Sequence, residues 1–66
     1  MPKRYKFKEL IKMVEADDWY LVRQKGSHRQ YHHPTKTGTV TIAGHPNEDA
    51  DPKTAASILK QAGMEK

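Results

Sequence analysis

The chain has no cysteine among its 66 residues. Neither a disulfide nor a thiolate zinc site can staple it. A chain of this size buries only about 60% of the surface its unfolded form exposes. Its core is therefore thin, and its stability has to come from apolar packing, helix caps or a bound partner. No apolar run approaches the roughly 18 residues that a membrane span needs. The opening M-P-K-R-Y-K-F-K also lacks the apolar stretch of a signal peptide. A cytoplasmic location without a membrane partner is expected. Negative charge is the minority sign, with 8 Asp and Glu against 12 Lys and Arg and a net charge of +4. That balance favours a polyanionic partner, either nucleic acid or an acidic protein. There are no repeats and no long linker, so residues 1–66 are read as one domain.

Apolar residues at Phe7, Leu10, Ile11 and Val14 follow the i, i+3, i+4, i+7 spacing of an amphipathic helix, read over about residues 7–17. Asp17-Asp18 ends the pattern, and Asp tolerates a left-handed cap less well than Gly or Asn, which softens this end. W-Y-L-V-R-Q reads as a strand over about 19–24. Lys25-Gly26-Ser27 is a turn, with Gly26 free to take positive φ. A second strand follows over about 28–33. Alternation puts His28, Gln30 and His32 on one of its faces and Arg29, Tyr31 and His33 on the other. Pro34 stops it, and T-V-T-I supplies a third strand over about 39–43. Asp51 and Pro52 are a good N-cap and first helical residue. They open a second helix over about 52–62, which Gly63 terminates. The fold class is α+β, in the order α-β-β-β-α. Its three-stranded antiparallel sheet carries both helices on one face and leaves the other open.

Three of the four histidines fall within K-G-S-H-R-Q-Y-H-H-P, residues 25–34. Imidazole is a good metal ligand. However, no Cys pair and no His-Glu-x-x-His helix accompanies these histidines, and His32 and His33 point to opposite strand faces. No metal is expected. His32 and His33 read as strand and hairpin surface, and His45, before Pro46, as a residue that orients its loop. His28 differs in its neighbours. It follows the Gly-Ser turn between Lys25 and Arg29, with Arg23 close by. Cations gather phosphate, and an imidazole titrating near neutrality moves protons. RNA brings its own nucleophile, the 2′-hydroxyl, so its cleavage needs no cofactor in principle. The residues alone leave His28 open between a proton-transfer group and an idle strand histidine.

The run W-Y-L-V-R-Q-K-G-S-H-R-Q-Y-H-H-P, then G-T-V-T-I, His45-Pro46 and S-I-L-K-Q-A-G-M, resembles the HicA toxin family over residues 7–64. The most specific parts are R-Q-x-G-S-H at 23–28 and I-L-K-Q-A-G at 58–63. The resemblance implies a double-stranded-RNA-binding-domain-like fold. It also implies a toxin that acts as a metal-independent mRNA interferase, an endoribonuclease that inhibits translation, paired with a HicB-type antitoxin. The histidine of Gly-Ser-His is the family's catalytic one, here His28, and Gly26 and Ser27 complete the motif. Gly26 then serves turn geometry and Ser27 contacts phosphate. Lys25, Arg29 and Lys36 join the expected RNA contacts on charge and proximity, and His32 is the nearest candidate for a second group on the face of His28. The rival reading is a non-catalytic double-stranded-RNA-binding module, which the charge fits equally well.

Three departures from the family pattern bear on structure. Asp18 stands where Gly usually precedes the aromatic residue, and Phe7 replaces a small polar cap. Lys53-Thr54-Ala55 takes the place of Gly-Thr-Leu, so a thinner core is expected there.

Overall fold

A computed structural model describes residues 4–64. The elements run β1 (Tyr5–Lys6), α1 (Phe7–Ala16), β2 (Tyr20–Lys25), β3 (His28–His32), β4 (Val40–Ala43), β5 (Asp49–Ala50) and α2 (Pro52–Gln61). Strands β2, β3 and β4 form an antiparallel sheet in that spatial order. The expected α-β-β-β-α order is therefore present. A two-residue ribbon is added to it, with Tyr5 opposite Ala50 and Lys6 opposite Asp49. Two residues are too few for alternation to show in a sequence, so this ribbon has no local signature.

The sheet sorts its side chains by alternation. Tyr31, Val40 and Ile42 are buried on one face, together with Leu10 and Val14 of α1 and Ala55 and Ile58 of α2. Both helices therefore cover the same face, and among the described residues nothing covers the opposite, bare face. Phe7, Trp19, Ala50 and Ala62 close the core at its ends. Ala55 is buried there at 4% exposure despite its small size.

The start of α1 does not depend on a polar side chain at residue 7. The N–H of Lys6 donates to Glu9 Oε1 at 2.9 Å. The N–H groups of Phe7 and Lys8 donate to the carbonyls of Glu48 and Pro46, both at 3.0 Å. The loop before β5 thus satisfies donors that a local cap would otherwise take. The Phe7 ring is buried beneath Gly44, where an added Cβ would come within 2.4 Å of it.

Both helices end in the same hydrogen-bond pattern, in which a left-handed residue lets two N–H groups fold back onto the last turn. In α1 the N–H of Trp19 reaches the Val14 carbonyl and that of Asp18 the Glu15 carbonyl, both at 3.1 Å. In α2 the N–H of Met64 reaches Leu59 at 2.8 Å and that of Gly63 reaches Lys60 at 3.0 Å. The left-handed residue is Gly63 in α2 but Asp18, at φ 75°, in α1. Asp51 caps α2 as expected, its Oδ1 accepting from the Lys53 N–H at 2.9 Å.

Candidate nucleic-acid interface

The β2–β3 connection consists of Gly26 and Ser27 alone. Gly26 has φ 58°, and Ser27 is not in the positive-φ region. That pattern belongs to a type II′ turn, whose twist suits a tight hairpin. Gln24 Nε2 braces the turn by donating to the Gly26 carbonyl at 3.0 Å. From the neighbouring strand end, the Gly44 N–H donates to the Ser27 carbonyl at 3.3 Å. His28 is consequently fixed as the first residue of β3, opposite Lys25 on one side and Ala43 on the other.

The register then places Arg23 beside Gln30, and Gln30 beside Thr41. These residues share the bare face with Lys25 and His28. Arg23, Lys25, His28, Gln30 and Thr41 line a shallow depression of about 330 Å³. Among the described residues, no hydrogen bond or ion pair engages the side chains of Arg23, Lys25 or His28. The sequence from Trp19 to Asn47 contains no Asp or Glu, so no carboxylate from the sheet offsets those cations. Of the lining residues, Arg23, Gln30 and Thr41 stand outside the contacts expected from the sequence, although Gln30 is expected on the face of His28. The signal that finds them is the period of two: Gln30 is two residues beyond His28 on the same strand.

Arg29 and Lys36, grouped with His28 on charge and proximity, are not brought to this depression. Arg29 follows His28 directly and so faces the opposite way, where its Nη1 donates to the Gly44 carbonyl at 3.4 Å. Lys36 lies beyond Pro34. Its Nζ is 2.6 Å from Asp17 Oδ2 and 3.2 Å from the Ala62 carbonyl, which ties the β3–β4 loop to the ends of both helices. The hydrogen bond from Lys36 holds the Asp17 carboxyl below its ordinary pKa, against the opposing effect of burial.

The remaining histidines have separate fates. His33 has a side chain only 7% exposed. Its Nδ1 accepts from the N–H groups of Thr35 and Lys36, both at 3.1 Å. The ring proton therefore sits on Nε2, which donates to the Asp17 carbonyl at 2.6 Å. The ring also meets Trp19 edge-on at 5.1 Å between centroids. His32 is exposed on the bare face, across from Tyr20. The main chain of His45 orders its loop, donating to Glu48 Oε1 at 3.1 Å and accepting from the Glu48 N–H at 3.0 Å. Among the described residues, no three His, Asp or Glu side chains are grouped to hold a metal ion.

Among the described residues, the depression therefore presents one free imidazole, two free cations and two neutral polar groups beside a tight turn. This set can bind a phosphodiester and move a proton next to it. A family model described as "HicA toxin of bacterial toxin-antitoxin" matches residues 7–64. The comparison with curated proteins gave no match.

Proposed function

The chain belongs to the HicA toxin family, and on that premise we propose that it is a metal-independent endoribonuclease that cleaves mRNA on the bare face of its sheet. One observation carries this reading. His28 stands at the mouth of the β2–β3 hairpin, free of any partner among the described residues, in a depression that also holds Arg23 and Lys25. A scissile phosphate is bound by these two cations, with the Gly26-Ser27 turn alongside. His28 is the general acid/base of the cleavage. The 2′-hydroxyl gives up its proton, its oxygen bonds to the adjacent phosphorus, and the bond from phosphorus to the 5′-oxygen breaks. The 5′-oxygen then takes a proton. The cations stabilise the charge that builds on the phosphoryl oxygens. The reaction belongs in the cytoplasm, where a HicB-type antitoxin restrains it by covering this face.

The test is cleavage of single-stranded RNA by purified protein in EDTA, beside His28→Ala. Removing a general acid/base lowers the rate by about a hundredfold to ten-thousandfold. The alanine variant is expected to fall in that range while keeping its RNA affinity. Undiminished cleavage by the variant would overturn the assignment. Salt-sensitive RNA binding with no cleavage by the wild type would identify a non-catalytic module instead.

A further inference from the structure

The depression around His28 ends at Gln30, but the bare face continues. The next pair along β2 and β3 is Tyr20 opposite His32. Its place on this face depends on an irregularity. Between Leu21 and Arg23 the register shifts, so that Val22 is an extra residue with no partner on β3. Strict alternation from Lys25 and Arg23 would bring Leu21 onto the bare face and turn Tyr20 toward the helices. The bulge reverses that order. Leu21 goes opposite Tyr31 and shares its face, though at the sheet edge it stays 45% exposed, and Tyr20 joins Arg23 and Lys25. Re-aiming a side chain in this way is a recurrent use of bulges next to sites. Tyr20 is half exposed, His32 is exposed, and among the described residues neither ring has a partner.

We propose that Tyr20 and His32 form a stacking platform for a base of single-stranded RNA, one that flanks the nucleotide whose phosphate sits at His28. The proposal rests on the ribonuclease reading above and extends it to substrate recognition. His32 lies four residue steps beyond His28, about 13 Å along β3, so the platform takes a neighbouring base rather than the scissile one. Aromatic faces beside a cationic track are the usual means of holding single strands, because every base has a π-face. Among the described residues the strands of this face supply no carboxylate, and it is continuous with Arg23 and Lys25, which favours an anionic strand over an apolar protein surface. As a strand pair alone, Tyr20 and His32 would contribute only to the sheet, and RNA would not sense their removal.

The experiment measures the affinity of short single-stranded oligoribonucleotides for the full chain carrying His28→Ala, by fluorescence anisotropy, with and without Tyr20→Ala. The KM for cleavage by the His28-intact protein is a second readout. Tyr20→Ala is expected to weaken binding about tenfold and raise KM in proportion with little change in kcat. Tyr20→Phe, which keeps the ring, restores both. An abasic nucleotide scanned along the oligonucleotide should find one position that costs the parent protein about tenfold and costs Tyr20→Ala nothing further. Wild-type cleavage together with binding by Tyr20→Ala within twofold of the parent would overturn the platform and leave the ribonuclease intact. Absence of RNA binding by any form would overturn both. Intact RNA affinity with weakened capture of a protein partner would make the Tyr20 strip a protein-docking edge and overturn the platform.

Discussion

His33 and Asp18 hold the ends of β3 and α1 together, each against the expectation for its residue type. The His33 ring links Asp17, Thr35 and Lys36 and packs on Trp19. His33→Ala would leave two N–H groups and a carbonyl without their partner in a nearly closed site. A loss of about 3 kcal/mol is expected in urea unfolding followed by the fluorescence of Trp19. His32→Ala, at an exposed position, should stay within about 0.5 kcal/mol of wild type. Asp18 carries a left-handed backbone that costs an L-residue roughly 1 kcal/mol. Asp18→Gly is therefore expected to stabilise the chain by about 1 kcal/mol in the same measurement. The weakness of this helix end could be read from Asp17-Asp18 itself. The role of His33 could not be read. Its alternation with His32 was evident, but its partners lie in a turn and a helix end that only tertiary folding brings to it.

Among the elements, those with a strong local period were the legible ones. Phe7, Leu10 and Val14 mark α1, Ala55 and Ile58 mark α2, and the alternation around His28 marks β3. The bulge at Val22 left no trace in composition, because a single extra residue in an apolar strand looks like any other. The β1–β5 ribbon and the loop that caps α1 were hidden for a related reason, since their partners are distant in sequence. The junction of α1, α2 and the β3–β4 loop at Asp17 and Lys36 has a consequence for acid stability. Folding lowers the Asp17 pKa, so its contribution is complete above the unfolded value of about 3.9. It disappears as pH falls through the lower folded value. Lys36→Met removes the main cause of the shift. Its stability, followed by urea unfolding from pH 6 downward to pH values near 2, should fall less steeply than that of the wild type, with the two curves converging at the acid end.

Taken whole, the molecule separates its charges. All its acidic residues lie before Trp19 or beyond Asn47, on the helices and their flanking segments, while the sheet carries only cations and neutral groups. The net charge of +4 understates the field of the bare face for that reason. RNA affinity should therefore fall linearly in log–log form with salt. Arg23→Gln and Lys25→Gln should each reduce that slope by about 1 if each meets one phosphate. An unchanged slope in anisotropy titrations would remove these two residues from the contact set. Lys36→Met, on the far side of the sheet, serves as the control that leaves the slope alone.

Gly44 joins the two sides. Its N–H supports Ser27, its carbonyl receives Arg29, and the Phe7 ring fills the space where its side chain would be. The turn that delivers His28 is thus seated on the first residue of α1, on the opposite side of the sheet. Position 44 is closed to every residue but glycine for as long as that ring stays. A change at Phe7, remote from His28 along the chain, would shift the ground on which the Gly-Ser turn stands.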